Sequence, residues 1–161
     1  MILPHSARLA LYAMLAPQLM REPDFIIGAA ADPYLYRWHL SPRGDQPAAY
    51  LHHFMRSDDD RALHDHPYES TSVILSGQYI EWTEGGRSEL RQEGAIVSRS
   101  AETAHRVELL LDAAGQPLPV TTLFLCGPRV REWGFHCPQG WRPWQQFVAE
   151  RDAGDIGVGC G

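Results

Sequence analysis

Lysine and asparagine are both absent from this chain of 161 residues, so all 14 basic residues are arginine. Without lysine there is no Schiff-base chemistry, no lysine general base and no phosphate-binding lysine of the Walker type. Without asparagine there is no N-glycosylation site. Biased codon usage accounts for both absences. Positive charge is scarce overall, and the formal net charge of -6 argues against nucleic acid or an anionic membrane as a partner. Cysteine is scarce too, with only Cys126, Cys137 and Cys160. An odd number without CxxC spacing indicates neither a disulfide framework nor a zinc knuckle, and a reducing cytoplasm is the expected location. No apolar run approaches the length that crosses a bilayer. Pro4 and Pro17 bracket only a short apolar stretch interrupted by Arg8, which is not the pattern of a signal peptide.

What is present fits one domain with its own hydrophobic core. Residues from Ser6 to Met20 read as a helix capped by Ser6, with Leu9, Tyr12, Ala13 and Ala16 at helical spacing and Pro23 beyond its end. Short strands follow. They are expected over Tyr34–Leu40, Tyr50–Arg56, Ser70–Leu75, Gln78–Glu84, Ser88–Arg91, Ala95–Ser98, Ala104–Leu111 and Val120–Cys126. Gly85-Gly86 offers a tight hairpin, and Val130–Cys137 is expected to pair with Val120–Cys126 across Gly127-Pro128. Ser57-Asp58-Asp59-Asp60-Arg61 reads as a solvated polar connection, Trp144–Arg151 as a closing helix, and Gly154–Gly161 as a frayed or docked tail. Residues 1–33 are thus a helix and lead-in, 34–140 a strand-rich body, and 141–161 a helix and tail of the same domain. Many short strands at regular spacing favour an all-β sandwich or barrel with short helices at both ends.

The stretch that carries chemistry is His64-Asp65-His66, with His105 arriving later in the chain. Strand side chains alternate faces, so two histidines separated by one residue point the same way. His105 opens an alternating run in which Val107 and Leu109 share its face and Arg106 and Glu108 take the other. Three imidazoles suit zinc, iron, nickel or copper and leave coordination positions open for water or substrate.

These residues resemble the two motifs of the cupin superfamily. The first runs from His64 and His66 to Gly77, with Ser70 standing where the family carries Glu. The second runs from Gly94 to His105, with Ser100, Glu102 and Leu109 where the family carries Pro, Gly and Asn. The resemblance covers residues 64–109 and implies a double-stranded β-helix, a jelly-roll barrel with one divalent metal inside its mouth. It places His64, His66 and His105 as ligands. Glu69 adjoins the family Glu position, and alternation turns it away unless a bulge rotates it inward. With Glu69 inside, the site is three His and one carboxylate, as in many cupin enzymes and isomerases. With Glu69 outside, it is similar to the all-histidine site of thiol dioxygenases, which bind ferrous iron. Ferrous iron is therefore the first expectation, with zinc, nickel or manganese also compatible.

Tyr79 and Glu81 share a strand face and are candidate acid–base residues at the cavity. Arg131, sharing a face with Arg129, is a candidate to orient an anion, unless both pair with Asp58, Asp59 or Asp60 at the rim. His52 is expected in the core or behind the ligands, while Trp133, Trp141, Trp144 and Phe147 are expected as packing anchors. Two functions follow. One is a metal-dependent enzyme, dioxygenase- or isomerase-like, acting on a small anionic substrate. The other is a non-catalytic module that binds or senses a small ligand, its metal stabilising the fold. Either fits a homodimer, because exposed barrel edges invite pairing.

Overall fold

The structure is a computed structural model. It describes residues 1–29, 31–41, 47–58, 62–149 and 152–161, the side chains of 152–156 excepted. Two antiparallel six-stranded sheets face each other. The first has the order β1 (Phe25–Ala29), β2 (Asp32–His39), β3 (Ala48–Phe54), β10 (Val120–Cys126), β5 (Ser70–Ser76) and β8 (Ile96–Arg99). The second has the order β12 (Gly140–Pro143), β11 (Gly134–Cys137), β4 (Leu63–His64), β9 (His105–Leu109), β6 (Tyr79–Thr83) and β7 (Arg87–Arg91). Strands distant in sequence are neighbours in both sheets, so the chain rolls up rather than zigzags. This is the jelly-roll arrangement of an all-β barrel.

The alternation of β9 explains how the barrel closes. His105, Val107 and Leu109 are buried while Arg106 and Glu108 are only partly so. Val107 and Leu109 meet Ile74, Tyr79, Val97 and Val120 in one cluster that joins both sheets. A side chain buried this completely contributes about 1.5–3 kcal/mol relative to its exposed state. Helix α1 (His5–Leu19) covers the outer face of the first sheet, packing Leu11, Leu15 and Leu19 on Trp38, Leu51, Val73 and Leu75. Arg8 latches it there by donating to Leu75 O at 2.6 Å and pairing with Glu93 at 2.9 Å. Gly77 makes the turn from β5 to β6 at φ +82°, where a Cβ would stand 2.8 Å from Pro119 O. Only glycine fits there.

Several expectations need correction. Ser6 lies inside α1, and Pro4 precedes the helix without a side-chain cap. Strand β1 is a member of the first sheet that periodicity did not reveal. The segment Val130–Cys137 does not pair with β10; only Gly134–Cys137 is strand, and it joins β4 and β12 in the opposite sheet. The closing helix is one turn, α2 (Trp144–Phe147), followed by β13 (Val148–Ala149), which pairs with β14 (Asp152–Ile156). The far end of the expected helix, Arg151, lies outside the described residues, as do Asp59, Asp60 and Arg61.

The largest correction concerns the cysteines. Cys137 and Cys160 form a disulfide, while Cys126 is free and buried. The tail is therefore clipped to its own chain, and the argument from cysteine usage to a reducing compartment no longer stands. No helix among the described residues is long and apolar enough to cross a membrane. The bond closes a loop across a sequence separation of 23, which restricts the unfolded chain by about 3 kcal/mol. Cys137→Ser/Cys160→Ser should therefore lower Tm by roughly 6–12 °C, measured by calorimetry against the oxidised parent. An unchanged Tm would show that the bond adds nothing to the fold.

Candidate metal centre

His64 on β4 stands directly opposite His105 on β9, and cross-strand partners bring their side chains together. Their ring centroids are 4.8 Å apart. His66 lies just beyond the end of β4, its backbone N–H donating to Ala101 O. Its ring comes within 5.1 Å of His64 and 5.2 Å of His105. One nitrogen from each ring falls within 4.8 Å of the others. The sharpest feature is the pair of Nε2 atoms of His66 and His105, 3.0 Å apart. Two imidazole nitrogens that face each other can share only one proton, whereas a cation between the rings satisfies both lone pairs.

Carboxylates stand behind two of the rings. Asp58 Oδ2 is 3.6 Å from His64 Nδ1 and accepts the Val107 N–H at 2.7 Å. The Tyr34 hydroxyl also donates to Asp58. Asp58 is thus a buried neighbour of the histidines and not the solvated residue expected. Glu81 Oε1 is 3.1 Å from His105 Nδ1, near enough for charge contact but off the line of a hydrogen bond. Carboxylates placed this way orient the rings and leave Nε2 for a metal. Glu81 is itself held by Arg99 at 2.5 Å and Arg91 at 2.7 Å. Burial alone would raise its pKa; contact with His105 and the Arg99 and Arg91 charges outweigh that and hold the carboxyl below its usual range.

Burial also sets the state of the imidazoles. It pushes His105 down to about 4, aided by Arg99 and opposed by Glu81. Burial and the neighbouring histidines hold His66 well below its ordinary value. Both rings are neutral at pH 7, the form that binds metal. Three imidazole nitrogens, two of them facing each other and two of the rings backed by carboxylates, fit one divalent ion.

Asp65, between the two histidines, is fully buried and turns away from them into a ring of donors. It accepts from Arg131 Nη1 at 2.8 Å, Gly134 N at 2.8 Å, Trp141 Nε1 at 2.9 Å and His136 Nε2 at 3.2 Å. Arg131 is thereby committed to a structural ion pair and does not orient a ligand. Its companion Arg129 pairs with Glu132. Neither reaches the Asp58 rim.

The histidines open on a cavity of about 350 Å³. Its wall is mostly aromatic and aliphatic, with Arg37, His52, Tyr68 and Tyr79 among the polar residues. Arg37 Nε donates to His52 Nε2 at 2.9 Å. Arginine cannot accept a hydrogen bond, so the His52 proton is on Nδ1. Burial and Arg37 depress His52 well below its ordinary pKa. Tyr79 is buried, its hydroxyl accepting from Arg99 at 3.3 Å, while Glu81 sits behind His105. Glu69 does not join the cluster. It is exposed, and its carbonyl accepts from Gly127 N. Sequence reasoning missed Arg37, Tyr68, Asp58 and Asp65, whose roles depend on contacts between distant segments.

Comparison with solved structures gives matches across most of the chain. The DMSP lyase DddQ from Ruegeria pomeroyi superposes with a TM-score of 0.55 at 20% identity, covering 78% of this chain and 66% of that one. The chain shares the fold of that protein. A protein with a double-stranded β-helix domain from Klebsiella pneumoniae has a TM-score of 0.48 at 15% identity, covering 70% and 90% of the two chains. A cupin-like protein from Thermotoga maritima has 0.48 at 12% identity, covering 66% and 78%. This chain spans just under two thirds of the length of the DMSP lyase. No family model and no curated protein matches the sequence.

Glu81→Gln removes the charge behind His105 while keeping its shape. Zinc affinity should fall about 10–100-fold, measured by competition with a chromogenic chelator; an unchanged affinity would show that Glu81 does not orient the ligand. The histidine pKa values also fix a pH dependence. Both are lower folded than the unfolded value of about 6.5, so their contribution to stability is full above that pH. As pH falls from about 6.5 towards about 4 the unfolded chain takes up protons that the folded chain refuses, and stability declines. Chelator-treated protein should show a Tm that drops through this window, and zinc should raise Tm more at pH 7 than at pH 5.

Proposed function

We propose that this cupin barrel is a metal-dependent enzyme acting on a small anionic substrate, its single divalent ion held by His64, His66 and His105. The observation that carries this reading is the convergence of three imidazoles at the wall of a cavity of about 350 Å³ that also contains Arg37. When bound, such an ion would supply Lewis acidity or, as iron, one-electron chemistry of the dioxygenase kind. Three neutral ligands leave its charge uncompensated, which favours an anionic substrate.

Arg37, and not Arg131, takes the orienting role, because Arg131 is paired with Asp65. No carboxylate among the described residues pairs with it, and its guanidinium lies 4.9 Å from the centre of the Tyr50 ring. Its bond to His52 fixes the fork with its remaining N–H groups available to a carboxylate or phosphate. Tyr79 lines the cavity with a pKa raised mainly by burial, so it keeps its proton at neutral pH and serves as the acid–base candidate. Glu81 acts through His105 as a positioning residue. Ferrous iron is the preferred metal because Glu69 stays out of the set, leaving the all-histidine pattern.

A second reading, a non-catalytic binding module, draws on Ser70. It occupies the place of the family Glu, and its buried Oγ has no hydrogen-bond partner among the described residues. Elemental analysis of protein purified without added metal tests the first reading. About one ion per chain is expected, iron foremost, with none in His64→Ala. Metal-free parent protein, or full metal content in the variant, would overturn it. Efficient metal-dependent turnover in a screen of small carboxylates would exclude the second.

A further inference from the structure

The two sides of the histidine cluster differ in chemistry. Beside His66 lie Tyr68 and Phe124, with ring centroids 6.0 and 5.9 Å away. Phe124 stacks at 5.0 Å on His52, which accepts from Arg37. Beside His64 lie Phe135 at 6.1 Å and Trp133 at 6.4 Å. Trp133 stacks on Trp144 at 5.7 Å, and Phe135 on Phe147 at 3.6 Å. All four of these aromatic residues line the cavity. The candidate metal position therefore lies between a cationic pole reached through His66 and an aromatic pole reached through His64.

Charge at the first pole is specific to Arg37. Arg99 is neutralised by Glu81 at 2.5 Å, and Arg56 faces Asp32 at 3.6 Å. Size limits the ligand as well. At ~30 Å³ for each water-sized group, about 350 Å³ holds on the order of ten non-hydrogen atoms. A two- or three-carbon acid would leave the aromatic pole empty.

We infer that the substrate is an amphipathic monoanion, with its carboxylate on Arg37, its reacting atoms beside His64, His66 and His105, and an uncharged apolar body against Trp133, Phe135, Trp144 and Phe147. This rests on the metal-centre reading for the position of the reacting atoms, but both poles are made by the chain itself. 3-Phenylpropanoate has the right charge and size.

Isothermal titration calorimetry on the full chain, chelator-treated and zinc-loaded, tests the inference with 3-phenylpropanoate, propanoate, 3-phenylpropan-1-ol and 3-(trimethylammonio)propanoate. The phenyl acid should bind at least tenfold tighter than each of the others, in both preparations. Arg37→Gln should weaken the phenyl acid at least tenfold and leave the alcohol unchanged. Trp133→Ala, at a half-buried position, should weaken the phenyl acid and leave propanoate unchanged. Binding of propanoate as tightly as the phenyl acid would overturn the apolar pole. Equal binding of the alcohol, or no loss in Arg37→Gln, would overturn the cationic pole. Tighter binding of the trimethylammonio acid would mean that the aromatic pole selects a cation. Protein that takes up zinc but fails these comparisons loses the substrate class alone, whereas protein that binds the phenyl acid but no zinc loses the metal-centre reading.

Discussion

Buried carboxylates behind imidazoles are the constraint on which this site depends. His64 and His105 meet because β4 and β9 pair in register, but strand pairing alone leaves a ring free to rotate. Asp58, 3.6 Å behind His64, and Glu81, 3.1 Å behind His105, limit that freedom by charge from the Nδ1 side. An unpaired buried carboxylate would cost several kcal/mol, so Asp58 and Glu81 need partners of their own. Asp58 has the Val107 N–H and Tyr34, and Glu81 has Arg91 and Arg99. Arg99 in turn donates to Ser72 and Tyr79. The site is therefore supported from strands of both sheets.

Asp65 extends the same logic in the other direction. Its two neighbours in sequence face the cavity, while its own carboxylate binds Arg131, Gly134, His136 and Trp141. These donors come from the segment that precedes and forms β11 and β12. One short stretch thus ties the histidines to the aromatic wall, because that segment also carries Trp133 and Phe135. Phe147 completes the wall from α2. Its carbonyl accepts from both Gly157 N and Gly159 N at 3.0 Å, and the next residue, Cys160, is bonded to Cys137 of β11. The tail is packing for the cavity and not a loose end.

Local pattern made much of the architecture legible. Val120–Cys126 is a strand over its expected span, because its β-branched and aromatic residues suit a doubly covered central strand. The three histidines were visible because strand alternation is a short-range rule and because their spacing resembles a family pattern. What escaped depends on segments far apart in sequence. Asp65 looks like a solvent-facing residue until donors some 70 positions away close over it. Cys137 and Cys160 have no informative spacing, since their pairing follows from where α2 and the tail turn. Arg37 resembles any strand arginine until the barrel folds it inward onto His52. Short-range rules also overextended the last helix, where Pro143 and Trp144 start a turn that Val148 ends as strand.

Charge around the cavity connects the site to its ligand. The side chains there that carry fixed charge are Arg37, Arg56, Arg99 and Asp58, with Glu81 just behind His105. Glu81 cancels Arg99, and Asp58 is occupied by Tyr34 and the backbone of β9. His66 and His105 contribute no charge at neutral pH, since burial keeps both neutral. A divalent ion would add two further positive charges beside Arg37, in surroundings where water screens poorly. A bound anion relieves that excess and a neutral molecule does not. The aromatic wall of Trp133, Phe135, Trp144 and Phe147 carries no fixed charge of its own. The proposed ligand, with one negative end and one apolar end, matches both surroundings.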